Sequence, residues 1–242
     1  MLSFISRSEP HGARPLALVL FDLDETLLSG DSDVLWGEYL CREGLVDKAV
    51  YGSQNDAFYQ QYKGGQLDVQ AYLAFVAAPL AKLPRDELEA HRTRYLERDI
   101  KPIILQEGLN LIDRHRFSGD LPVLVTATID FVSAPIAALL GIADVIAPIA
   151  GRTPAGGYTG TTVGVPSFGP GKLTRVNAWL AARSEKPQSL ADSWFYSDSI
   201  NDLTLLEAVA HPVAVDPDQA LQAVAVARGW KTISLRPKPG LT

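Results

Sequence analysis

Three acids, Asp22, Asp24 and Glu25, stand directly behind the apolar run "LALVLF" (16–21). Carboxylates this close repel one another and lose hydration as their surroundings dry out, so each needs a partner or a task. Two more, Asp198 and Asp202, follow the run "SWFYS" (193–197), and Thr126 closes the run "LPVLVT" (121–126). Period-two alternation directs Asp22 and Asp24 to one side and Leu23 to the other. Four of these carboxylates, Asp22, Asp24, Asp198 and Asp202, gathered at one strand edge cannot all stay ionised without a cation. The simplest compensation is a hard divalent ion with oxygen ligands. Mg2+ suits it, because it accepts a few carboxylates and keeps waters and phosphate oxygens for the rest of its shell.

The elements that must position these residues follow from the pattern of apolar runs. "LALVLF", "LPVLVT", "ADVIA" (143–147), "SWFYS" and "HPVAV" (211–215) alternate with helical segments near 131–140, 172–183, 201–210 and 217–228, and "TISL" (232–235) adds a last strand. Near-continuous apolar strands between helices predict an α/β fold with a parallel, Rossmann-like sheet covered on both faces. In such sheets ligands bind beyond the carboxyl ends of the strands, which is where the acids and Thr126 fall.

From Asp31 to Lys101 every plausible element is helical, an excursion too long for a βα connection and therefore a second small domain or a lid. One helix presents Val34, Leu35, Tyr39 and Leu40 on a single face, and another Tyr72, Phe75, Val76 and Leu80. The predicted division is a catalytic core over 1–29 and 106–242 with a helical cap over 30–105. The Gly-, Thr- and Pro-rich stretch 151–171 reads as a β-hairpin plus loop. The aromatic residues of the insert chiefly hold it together, and Trp179, Trp194 and Trp230 read as packing residues.

Taken singly, each motif has a plainer reading. Asp24-Glu25 suits a turn or helix cap, Asp198-Ser199 an N-cap, and Lys172 in "GPGK" a solvated helix-start lysine. Together, each at a strand end or helix start, they point to one site. "GPGK" is not a P-loop, because Pro166 stands where the first glycine belongs and Leu173 where Ser or Thr should follow the lysine.

Composition narrows the class. The chain has 242 residues, 47% apolar and 21% charged, room for one α/β domain with a smaller insert. A net charge of −6 without a basic stripe predicts no nucleic-acid surface. No span of about 18 apolar residues predicts a membrane helix, and "MLSFISRSEPHGARP" lacks the apolar region of a signal peptide. A cytoplasmic setting is the default expectation. Cys41, the single cysteine, reads as a small apolar helix residue, and the spacing of His11, His91, His115 and His211 predicts no zinc site.

The segments "DLDETLL", "VTAT", "GPGK" and "SDSINDLTLL" resemble the four signature motifs of the haloacid dehalogenase superfamily of phosphohydrolases, in order and spacing, over roughly 16–29 and 106–216. A helical insert right after the first motif, and "GRTPAGGYTG" before the lysine, resemble its phosphoserine phosphatase-like branch. The resemblance implies Asp22 as nucleophile and Asp24 as general acid and base. It implies Thr126, Lys172 and the backbone N–H of Ala127 on the phosphoryl oxygens. It also implies Mg2+ held by the Asp22 carboxylate, the Asp24 main-chain carbonyl and Asp198, with Asp202 joining through water or from just outside. Superfamily dehalogenases lack the second aspartate of the first motif, so Asp24 favours phosphate chemistry.

A small-molecule phosphate ester is thus the predicted partner. The branch's phosphoserine phosphatases carry a glutamate nine residues after the nucleophile and a later arginine for the serine carboxylate. Asp31 holds the first position, either contacting substrate or capping a helix, and Gln70 to Leu83 holds no arginine. A substrate with an amine but no carboxylate fits: histidinol phosphate first, by analogy, then phosphoethanolamine or phosphocholine. Arg85, Arg92 or Arg94 could still serve phosphoserine from the next helix. Two further functions are compatible with the core motifs, a phosphomutase and a non-catalytic metal- or phosphate-binding regulator. Mutases of the superfamily generally carry a differently built cap, and a regulator would tolerate loss of the catalytic positions.

Overall fold

The structure is a computed structural model that describes residues 16–184 and 189–237. The reading of the first fifteen residues, His11 included, lies outside the described residues. Among the described residues no helix is long and apolar enough to cross a membrane. The strands are β1 (Leu18–Phe21), β2 (Leu121–Val125), β3 (Asp144–Ile146), β4 (Ile149–Arg152), β5 (Tyr158–Val163), β6 (Trp194–Ser197), β7 (His211–Val215) and β8 (Lys231–Ile233). Six of them make a parallel sheet in the order β3-β2-β1-β6-β7-β8, and β4 and β5 form a separate antiparallel hairpin. The chain builds one half of the sheet outward from β1, then crosses back to start the other half beside it. The order therefore reverses between β1 and β6, where an open α/β sheet leaves a crevice.

All four residues of β1 are buried, as a central strand covered on both faces requires. Period-two alternation divides the sheet's side chains between two cores. Val19, Phe21, Leu124 and Tyr196 pack on one face, and Leu18, Leu20, Val123, Val125 and Phe195 on the other.

Between β1 and β2 the insert contains α1 (Ser32–Arg42), α2 (Lys48–Lys63), α3 (Val69–Ala77) and α4 (Arg85–Tyr95). Each of the first three starts at an aspartate whose carboxylate accepts from the first-turn amides: Asp31 from Val34, Asp47 from Ala49 and Val50, Asp68 from Ala71. The fourth opens behind Pro84 with Asp86 and Glu87 in its first turn, where the helix dipole favours them.

Two apolar faces differ from the sequence reading. In α1 the buried face is Ser32, Asp33, Trp36, Tyr39 and Leu40, with Val34 and Leu35 only half-buried. The cause is Trp36, which stacks on Tyr39 at 5.3 Å and meets Tyr95 edge-on at 5.1 Å. In α3 the buried residues are Leu73, Val76 and Ala77, while Tyr72 and Phe75 stay half-buried.

The remaining helices are α5 (Gln106–Phe117), α6 (Asp130–Leu139), α7 (Pro170–Ala181), α8 (Leu203–Leu206) and α9 (Gln219–Arg228). Ile112 of α5 and Phe131 and Ile136 of α6 cover the first face; Val176, Leu205 and Leu221 of α7, α8 and α9 cover the second. The helix expected over 201–210 is shorter, a 3-10 turn at Ile200–Asp202 running into α8. Ser199 caps that turn by accepting from the Asn201 amide, and the chain must soon reverse into β7 at His211. The connections between insert and core run antiparallel: the Ser29 amide donates to Ile103 (2.8 Å) and the Leu105 amide to Leu27 (3.0 Å).

Candidate active site

The phase of β1 decides where the first acid points. Leu18 and Leu20 face α7, Leu23 packs in the opposite core, and Asp22 continues the phase of Leu20 into Lys172, in the first turn of α7. The Lys172 ammonium donates to Asp22 Oδ1 and to Asp202 Oδ2, both at 2.8 Å, and Ser197 Oγ donates to the same Asp202 oxygen at 2.7 Å. All four residues are buried. The lysine's placement depends on its glycine. A Cβ on Gly171 would lie 2.1 Å from the Pro166 carbonyl oxygen, so only glycine lets the start of α7 press against the preceding loop.

Burial pushes the Asp22 carboxyl up to about 7 against the pull of Lys172, with Asp202 adding to the rise. Burial alone would depress the Lys172 ammonium; the two carboxylates override it and hold the group above its ordinary value. One ammonium between two carboxylates leaves a net negative charge in a dry place, before Asp24 and Asp198 are counted.

Asp24 is held from two sides. Its Oδ1 accepts from the Ser32 amide at the start of α1 (2.6 Å), and its Oδ2 from Thr128 Oγ1 (2.7 Å). The Thr128 amide donates in turn to Thr126 Oγ1 at 3.0 Å, so the loop after β2 is folded by its own hydroxyls. Burial raises Asp24 to about 7, with the Asp31 charge adding to it. Asp198, after β6, is locked to Thr26: its amide donates to Thr26 Oγ1 at 3.1 Å, and that hydroxyl donates to Asp198 Oδ1 at 3.0 Å. Burial and then the charge of Asp22 push Asp198 well above its usual range.

These groups border a cavity between the sheet edge and the insert, lined by Asp22, Asp24, Thr126, Ala127 and Lys172 from one side. Asp33, Tyr59, Tyr62 and Tyr72 line it from the insert. Every site residue expected from the sequence lines this cavity except Asp198, which faces an adjoining opening together with Asp24 and Asp31. Asp31 caps α1, its Oδ1 taking the Val34 amide at 2.9 Å, and also borders the cavity. Asp202 spends one carboxylate oxygen on Lys172 and Ser197.

Sequence reasoning missed Thr26, Thr128, Ser197 and Ser32. Their partners lie up to 172 residues away, and hydroxyl residues near a turn carry no spacing that distinguishes this role. Among the described residues no three His, Cys, Asp or Glu side chains cluster closely enough to cage a metal ion by themselves.

The topological switch point, the buried acid–lysine–acid cluster and the order of the motifs define a hydrolase. The chain belongs to the haloacid dehalogenase-like hydrolase family, whose model matches residues 19–207. A histidinol-phosphatase of Neisseria meningitidis serogroup C (strain 8013) is 41% identical over 219 residues, covering 90% of this chain and 99% of that protein. A crystal structure of a protein of unknown function from Bordetella pertussis Tohama I is 40% identical with a TM-score of 0.86, over 92% of this chain and 100% of that one. A substrate-bound phosphoserine phosphatase shares the fold at 18% identity and a TM-score of 0.61, over 87% and 90% of the two chains.

Proposed function

We propose that this enzyme is a Mg2+-dependent phosphatase for a small phosphomonoester whose alcohol portion carries a cationic nitrogen, with histidinol phosphate the first candidate. One observation carries the reading. Lys172 is the only cation among the described residues lining the cavity, while Asp24, Asp31 and Asp33 line it together with tyrosines and Phe58. The phosphate has its place at the lysine. The other end suits a positive group, and among the described residues that line it there is no arginine to pair with a carboxylate. Arg92, one of the arginines that could have taken that task, instead donates to the Phe131 carbonyl at 3.1 Å and lies over the Phe131 ring. The 41% likeness to a histidinol-phosphatase along that protein's whole length supports the same substrate class.

The donor set fits Mg2+. Asp22 and Asp198 stand at adjoining strand ends with an excess of buried negative charge, and one or two carboxylates, a carbonyl and waters are what this ion takes from a protein. Asp22, the Asp24 main-chain carbonyl and Asp198 would hold it, with Asp202 linked through water. When bound, it supplies positive charge that offsets repulsion between the nucleophile and a phosphate dianion.

Asp22 attacks phosphorus, the phosphorus–oxygen bond to the alcohol breaks, and Asp24 gives its proton to the departing oxygen. Asp24 then takes a proton from water as that water attacks the aspartyl-phosphate, releasing inorganic phosphate and restoring Asp22. Its elevated pKa suits both halves. Thr126, the Ala127 amide and Lys172 steady the phosphoryl oxygens, and Asp202 and Ser197 fix the lysine's direction. Residues 30–105 act as a cap that shields the first half-reaction and admits water for the second.

The test is phosphate release from histidinol phosphate, phosphoserine, phosphoethanolamine, a hexose phosphate and p-nitrophenyl phosphate, with Mg2+ or with chelator, and with Asp22→Asn as the blank. The highest kcat/KM falls on histidinol phosphate. A preference for phosphoserine would overturn the substrate class. Absence of Mg2+-dependent release from every ester would overturn the phosphatase and leave a mutase or a regulator.

A further inference from the structure

We propose that Asp33, braced by Tyr72, is the residue that receives the protonated nitrogen of the substrate, and so sets the enzyme's preference for amine-bearing esters. The proposal rests on the reading of the cavity as a phosphatase site and names the group that chooses among its substrates.

Asp33 occupies the first turn of α1 and is 5% exposed. Its Oδ2 accepts from the Tyr72 hydroxyl, on α3, at 3.0 Å. Its Oδ1 is buried and has no hydrogen-bond partner among the described residues. Both residues line the cavity that Lys172 lines. A buried carboxylate oxygen without a partner is costly, and native proteins rarely leave one unless a ligand satisfies it.

Two neighbours differ from it. Asp31, the acid whose position in the sequence suggested substrate contact, has its Oδ1 taken by the Val34 amide as the helix cap. Asp24 has both oxygens engaged, by Ser32 and Thr128. Asp33 differs from both in offering an oxygen that is buried and unpartnered among the described residues. Burial raises the Tyr72 hydroxyl well above its usual range, the Asp33 charge adding to it, so it stays a donor and holds Oδ2 in place. Burial also raises Asp33 itself, with the charges of Asp31 and Asp24 contributing. An ammonium or imidazolium at Oδ1 supplies the missing donor and a counter-charge at once. A neutral alcohol supplies neither. Tyrosine and phenylalanine walls suit a cation as well, since their ring faces are electron-rich.

The experiment compares matched pairs: histidinol phosphate against its deamino counterpart, and phosphoethanolamine against ethylene glycol monophosphate. The readout is the ratio of kcat/KM within each pair, for the wild-type chain, Asp33→Asn, Asp33→Ser and Tyr72→Phe. The wild type favours the amine-bearing member. The ratio falls about 30-fold in both Asp33 variants, the loss of one charge-assisted hydrogen bond, and by less in Tyr72→Phe. Ratios unchanged in folded Asp33 variants would overturn the proposal while leaving the phosphatase standing.

Should the wild type hydrolyse none of the four esters, the phosphatase reading fails separately, and calorimetric titration with L-histidinol, which carries no phosphate, decides the subsite. Binding to the wild type that disappears in Asp33→Asn supports it. Binding that is equal in both chains, or absent from the wild type, overturns it.

Discussion

Thr26 and Asp198 hold each other by two hydrogen bonds across 172 residues of sequence, the Asp198 amide donating to the threonine hydroxyl and the hydroxyl donating to the carboxylate. The threonine thereby fixes the orientation of the acid that follows β6. Thr26→Val keeps the shape and removes both bonds. It should raise the Mg2+ concentration needed for half-maximal activity by about 10- to 100-fold, the usual cost of losing a group that orients a metal ligand. An unchanged Mg2+ requirement would remove Asp198 from the metal site.

Gly171 makes a sharper steric prediction. An alanine there must displace either the Pro166 carbonyl or the first turn of α7, and the contact is with backbone, which gives little. Gly171→Ala should lower kcat/KM by about 100-fold or more through a displaced Lys172, as small misplacements at a reacting centre do. Activity near the wild-type level would show that the lysine's position tolerates a shift of the helix.

Trp36 joins the insert to the core. It stacks on Tyr39, meets Tyr95, and lies 5.6 Å from the ring of Phe131 on α6. Trp36→Ala should destabilise the fold by about 3–5 kcal/mol, read from urea unfolding. A much smaller loss would mean that the insert and core are not held together at this cluster.

Asp33 ties stability to pH. Burial raises its pKa, so the native chain keeps this proton at pH values where the unfolded chain, titrating near 3.9, has lost it. Native stability at this site therefore falls as pH rises above about 4, and the full penalty is reached once the buried group ionises. Asparagine does not titrate. In urea unfolding with chelator, Asp33→Asn should be more favourable relative to wild type at pH 8 than at pH 5. A difference independent of pH would mean that the carboxyl is not held above its ordinary range.

The sequence by itself determined the sheet and the edge at which its acids gather. A run such as Leu18–Phe21 is apolar throughout because both its faces are covered, and the residues that follow inherit its alternation. That is why alternation alone assigns Asp22 and Leu23 to opposite sides. The capping aspartates of α2 and α3 are equally local. Only the tertiary structure decided what depends on residues far apart: that Thr26 serves Asp198, that Trp36 rotates the buried face of α1, and that Tyr72 takes one oxygen of Asp33 while the other is left without a partner among the described residues. Periodicity fixes the side to which a residue points. Which group waits there is set by the packing of distant segments, and a hydroxyl or carboxylate carries no mark of it along the chain.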